Sequence, residues 1–125
     1  MTNNNRISIQ DRTCKFAVRI IKAYGEIIKS KHFSDPAVVL GKQFLRAGTS
    51  IGANCAEAKS AQSTRDFVSK YEIALKESQE LSYWCQVMID SNIVPIKKFD
   101  LLLKENKEIT NILAATITSL KKKNF

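Results

Sequence analysis

Residues 44–58 read FLRAGTSIGANCAEA, and between Arg46 and Glu57 there is no charged side chain. Phe44, Ala47, Ile51, Cys55 and Ala58 recur at helical spacing, so the stretch reads as α-helix with one stripe turned inward. Most of what remains is small: Gly48, Ser50, Gly52, Ala53 and Ala56. In a lone four-helix bundle each helix keeps one face in water, and that face normally carries charge. A helix with no such face is expected to be covered on more than one side, its small residues letting neighbouring backbones approach closely. Arg46, Ser50, Asn54 and Glu57 form a polar line along it, at spacings of four, four and three. An Asn removed from water needs a partner, so Ser50 and Asn54 are expected to bond across to a neighbouring helix. Capping or simple exposure is the plainer alternative.

Working outward, Asp35 is a good N-cap and Pro36 suits the first helical position. The helix that starts there, with Leu40 on its inward stripe, runs to about Ser60. Before it, from about Ser8 to Ser30, lies a helix with Phe16, Ala17, Ile20, Ile21, Tyr24, Ile27 and Ile28 on one face. Its opposite side carries Arg12, Lys15, Arg19, Lys22 and Lys29 within an arc of about 100°, interrupted only by Glu26. After it, Ser63 opens a third helix with a capping-box-like STRD. Its stripe is Phe67, Tyr71, Ala74, Leu75, Ser78, Leu81, Cys85, Met88 and Ile89. The fourth begins near Val94-Pro95, with Phe99, Leu102, Leu103, Ile109, Leu113, Ile117 and Leu120 inward and Asn106 and Thr110 inside that face. Its basic last turn suits the helix dipole. No strand-like alternation, repeat or low-complexity segment interrupts these four. The fold class expected is all-α, an up-down-up-down antiparallel four-helix bundle. Residues 1–125 form one domain, with helices at about 8–30, 36–60, 64–91 and 95–122.

Composition agrees. Four Gly and two Pro in 125 residues are too few for the turns of an all-β fold. The polar MTNNNR start lacks a signal-peptide apolar core and no apolar run approaches the ~20 residues of a membrane span, so a cytoplasmic protein without membrane association is expected. Cys14, Cys55 and Cys85 have no zinc-like spacing and read as free thiols. His32, the single histidine, lies in a loop and reads as an ordinary surface residue rather than a general base. Gly41, Gly48 and Gly52 sit inside a helix with no phosphate-loop Lys after them. Glu72, Glu77 and Glu80 lack the Glu-x-x-His partners of di-iron bundles. No enzyme, metal, cofactor or small-molecule substrate is expected.

The formal charge of +8 is uneven. Residues 1–62 hold ten Lys/Arg against four Asp/Glu, residues 63–94 three against five, and residues 95–125 seven against three. Such asymmetry points to an acidic partner or to self-association between unlike faces. Behind the core stripe of the third helix, Ile73, Trp84 and Val87 alternate with Glu77 and Glu80, an outer strip suited to an interface. Arg46, Ser50, Asn54, Glu57, Ile73, Glu77, Glu80 and Trp84 are therefore the candidate oligomer interface, Glu57 and Glu80 through salt bridges. The basic stripe has a bland reading, a solvated helix face, and a sharp one, contact with phosphates. Lys97, Lys98, Lys104, Lys107 and the LKKKNF tail would extend its field. Only Phe33 and Phe125 look free to stack on bases, which argues for binding by charge and shape rather than sequence.

The block 44–58 followed by DFVSKYEIALKESQELSYW (66–84) resembles the four-helix-bundle proteins of the 23S rRNA intervening-sequence family. Arg46, Ser50, Asn54, Ala56, Glu57, Asp66, Phe67, Ala74, Glu80 and Trp84 carry the likeness. Cys55 stands where the pattern has Ile, and Ala58 where it has Gly, which implies a second helix continuing slightly further. The resemblance implies a bacterial α-helical protein assembling into a ring, typically a homopentamer, often encoded within ribosomal RNA gene inserts. It is similar in fold to the accessory variability proteins of diversity-generating retroelements, basic pentamers that bind RNA and a reverse transcriptase. A ring of five would carry roughly +40. The function expected is a non-enzymatic, oligomeric nucleic-acid-binding accessory protein that takes structured RNA without strong sequence specificity. The alternative is an oligomeric protein–protein adaptor, such as a partner of a reverse transcriptase or ribosome-associated factor.

Overall fold

A computed structural model describes residues 7–124; MTNNNR and Phe125 lie outside the described residues. Four helices follow one another: α1 (Ile9–Ile28), α2 (Pro36–Ala58), α3 (Thr64–Asp90) and α4 (Ile96–Asn124). Among the described residues there is no strand. α1 packs on α2 and α4, and α3 on α2 and α4, so the helices form a four-helix bundle around one core.

The helix ends follow local chemistry. Ser8 accepts from the Asp11 amide, Asp35 from Ala37 and Ser63 from Asp66, each satisfying an otherwise orphaned N–H. Asp66 reaches back to the Gln62 amide at 3.2 Å, one residue outside the usual capping-box partner. α1 stops before Pro36 restricts it, because Ser30 takes a left-handed conformation at φ 60°. α3 ends in a Schellman turn. Asn92 is left-handed, the Ile93 amide donates to the Met88 carbonyl at 2.9 Å, and the Asn92 amide to Ile89 at 3.0 Å. α2 stops at Ala58 instead of running on to Ser60. The Lys59, Ser60 and Ala61 amides bond three residues back, tightening the chain into the turn.

The core contains the expected stripes of α2, α3 and α4, with Phe44, Ile51, Leu81, Met88, Ile109 and Leu113 fully enclosed. On α1 the stripe is narrower than the sequence reading placed it. Phe16, Ile20 and Ile27 are buried, whereas Ile21 is 53% exposed because it lies past the edge that α2 covers. Asn106 sits 1% exposed in the core, donating to the Ser78 carbonyl and Ser82 hydroxyl at 2.8 Å each. Thr110 donates to the Ser78 hydroxyl at 3.0 Å. These residues make a polar layer that ties α3 to α4.

The small residues of α2 have a use inside the chain. A methyl on Gly48 would stand 2.7 Å from two carbons of the enclosed Ile20 side chain, and one on Gly52 would stand 3.1 Å from the Thr13 carbonyl oxygen. At Gly48 the α2 backbone meets an α1 side chain with no room for a methyl, and at Gly52 it comes close to the α1 backbone. The inner half of the uncharged stretch is covered by α1. The outer side is open within one chain: Ala53 and Ala56 are exposed, and Thr49 is half-buried.

Gly25, also helical, has open space around its Cα. Gly48→Ala should cost about 1–2 kcal/mol, since overpacking of roughly 1–3 kcal/mol outweighs the gain in helix propensity. Gly25→Ala should instead stabilise by up to about 1 kcal/mol. Urea denaturation midpoints check the pair, and the reverse order would contradict the close contact.

Candidate nucleic-acid interface and outer faces

The five cations of α1 divide into two groups. Arg12 pairs with Glu108 and lies 4.0 Å from Glu105; Arg19 reaches Glu105 at 3.4 Å. Both arginines thus join α1 to α4, along an edge where acids one turn apart on α4 supply the partners. Lys15, Lys22 and Lys29 are exposed and make no ion pair among the described residues. Three free ammonium groups on one helix, flanked by two arginines already held by carboxylates, is the stripe as it stands in the fold. Of the suggested extensions, Lys104 is paired with Asp100 at 3.1 Å and Lys121 with Glu72 at 2.7 Å. Lys97, Lys98 and Lys107 are exposed. The last residue of the tail, Phe125, lies outside the described residues.

The candidate interface residues come together on the α2–α3 edge, bonded within the chain. Arg46 donates to both Glu77 carboxylate oxygens at 3.2 Å and to Glu80, and the Trp84 indole donates to Glu80 at 3.0 Å. Further along, Glu57 pairs with Lys70 at 3.2 Å. Bonds from Trp84 first, and then from Arg46, hold the Glu80 carboxyl below its usual range. The Glu77 and Glu80 carboxylates in turn push the Arg46 guanidinium up. Ser50 and Asn54 do not reach another helix, as the sequence reading had them do. Ser50 donates to the Arg46 carbonyl at 2.7 Å and Asn54 to the Ser50 carbonyl at 2.8 Å. Back-bonding to the preceding turn satisfies these donors without a neighbour. Ile73 is 40% exposed on α3, while Trp84 is half-buried against the core.

Two features escaped the sequence reading. Tyr83 is 61% exposed beside Trp84, ring centroids 5.1 Å apart, and joins Phe33 as an aromatic open to solvent. Its position one residue before the Trp is the only signal the sequence carried. On α1, Cys14, Val18 and Ile21 are exposed together at spacings of four and three, an apolar strip on the outer side.

The remaining chemistry is quiet. Burial raises the Cys55 and Cys85 thiols to about 11 and about 12, so both stay protonated at neutral pH. Among the described residues no three His, Cys, Asp or Glu side chains gather as a metal-ligand group, and no helix is long and apolar enough to cross a membrane. His32 is exposed in the α1–α2 turn, its Nδ1 2.8 Å from the Ser34 hydroxyl.

What the geometry defines is a basic four-helix protein with an ion-paired α2–α3 edge, a lysine row on α1 and uncovered apolar strips. The chain belongs to the 23S rRNA-intervening sequence protein family, which it matches over residues 5–115. It is similar to the crystal structure of a protein of unknown function from the S23 ribosomal protein family of Bacteroides thetaiotaomicron VPI-5482. The two share 38% identity over 88% of this chain and 98% of that one, with a TM-score of 0.80. No curated protein matches the chain.

Glu80 has its folded-state pKa depressed, so its contribution to stability is present above the unfolded-state value and lost as pH falls through the folded one. Trp84, the single tryptophan, reports it. Indole fluorescence should shift on acidification in the native chain, and Glu80→Gln should remove that shift. A transition unaltered by Glu80→Gln would place the titrating group elsewhere.

Proposed function

We propose that this protein is a non-enzymatic, oligomeric accessory protein of the cytoplasm that binds structured RNA through charge, without strong sequence specificity. The observation that carries the reading is the row of Lys15, Lys22 and Lys29, exposed and in no ion pair among the described residues, on a chain of net charge +8. Like charges held close repel one another, and a polyanion relieves that repulsion while releasing its own counterions. The pair contacts favour neighbouring helices that run in alternating directions. Gly41 meets Tyr24, Gly48 meets Ile20 and Gly52 meets Thr13, while Arg46 and Glu57 meet Glu77 and Lys70. That up-down-up-down order would present each α1 lysine row on an outer wall.

Self-association is supported by the uncovered apolar positions: Val18 and Ile21 on α1, Ala53 and Ala56 on α2, and Ile73 on α3. A homopentameric ring is the assembly that the family resemblance favours. A ring repeats the lysine row around its wall. The adaptor reading keeps one observation of its own, the exposed Ile73 and Tyr83 of α3, which would suit a protein partner.

Light scattering should give a multiple of 14.1 kDa at micromolar concentration, and Ile21→Glu with Ala53→Glu should reduce it while helicity persists. A wild-type monomer would sink the assembly. For RNA, Lys15→Glu and Lys22→Glu are cleaner than a change at Arg19, which would also break the contact with Glu105. A gel shift with a structured RNA should show strong retention at low salt and a steep loss with added salt. Neutralising each lysine should flatten the log–log slope by about 0.7–0.9. Retention that survives both reversals would favour the adaptor.

A further inference from the structure

Where α1 ends and α4 begins, the chain leaves a groove of about 360 Å³, near the lower end of the volumes that hold one small ligand. Its lining includes the apolar Ile27, Val94 and Phe99, buried members of the core. Its rim carries Lys22, Lys31 and Lys98, with Glu26 as the single acid. Among the described residues none of these three lysines makes an ion pair. Lys98 stands in the first turn of α4, where the helix dipole disfavours a cation. An apolar floor with three ammonium groups and one carboxylate at its rim is complementary to a ligand with an apolar body and a phosphate.

We propose that this groove is a subsite for one unpaired nucleotide of a bound RNA. Lys22, Lys31 and Lys98 hold the phosphate, and the base lies against Ile27, Val94 and Phe99. Glu26 accepts from an exocyclic amine, which favours adenine over uracil. Lys22 belongs to the α1 row, so the subsite continues the surface proposed above and rests on that RNA-binding reading. It narrows the partner: the preferred RNA carries a bulged or looped-out base beside a helix, and unpaired bases are where proteins gain hold on RNA beyond its backbone.

Two hairpins with the same stem test this, one fully paired and one with a single bulged adenosine, titrated with the full chain at low salt. The bulged hairpin is expected to bind roughly tenfold tighter, the equivalent of about 1.4 kcal/mol. With 2-aminopurine at the bulge, its fluorescence should change on binding. Lys31→Gln with Lys98→Gln should abolish both the preference and the fluorescence change, while the paired hairpin is still retained and circular dichroism stays helical. Equal binding of the two hairpins by the wild-type chain, with 2-aminopurine unperturbed, overturns the subsite and leaves the charge-based RNA reading standing. Retention of neither hairpin overturns both.

Discussion

Gly48 faces the enclosed Ile20 with no room for a methyl group, and the distance between α1 and α2 is set there. Interiors are close-packed, so a contact this tight fixes rotation as well as spacing. With Phe16, Ile20 and Ile27 turned inward, the two flanks of α1 have no freedom left. One flank brings Arg12 and Arg19 against Glu105 and Glu108 of α4; the outer side leaves Cys14, Val18 and Ile21 uncovered. The charge distribution of the molecule is thus a consequence of how closely its first two helices pack.

The ion pairs follow that frame more than they create it. Exposed pairs contribute roughly 0–1 kcal/mol each, so Arg12, Arg19 and Arg46 add little to stability individually. Their larger effect is on the field. They neutralise Arg12, Arg19 and Arg46 and leave the charge of the α1 stripe to its lysines. A lysine ammonium is a compact, mobile charge that meets phosphates without demanding a fixed fork geometry. A surface of that kind suits recognition of shape and charge better than of base identity.

The helices were legible in the sequence to within about two residues because caps and breakers mark them: Ser8, Asp35-Pro36, Ser63 and Asn92 each act through local backbone chemistry. The core stripes were legible on α2, α3 and α4 for the same reason that period is legible at all. Ile21 was misread because an apolar residue at the stripe's edge is placed by the neighbour's width, which a wheel does not contain. The ion-pair partners of Arg12 and Arg19 were hidden likewise: Glu105 lies nearly ninety residues away in sequence, and only the packing of α4 brings it near. The groove at the α1–α4 end was illegible for the strongest form of this reason, since its lining comes from α1, α4 and the turn before α4.

The polar residues of α2 and α4 show how the same side-chain types serve opposite ends. Asn106, deep in the core, spends its amide on Ser78 and Ser82 of another helix. Both bonds are lost if α4 slides along α3, so they favour one pairing of the two helices over shifted ones. Ser50 and Asn54 turn back on their own helix instead, each donating to the carbonyl one turn before it. The outer side of α2 is therefore chemically blank, with Ala53 and Ala56 between back-bonded neighbours. Such a surface tolerates water because its exposed apolar groups are small, and small groups also let another helix approach closely. Reversible assembly needs a surface of that kind.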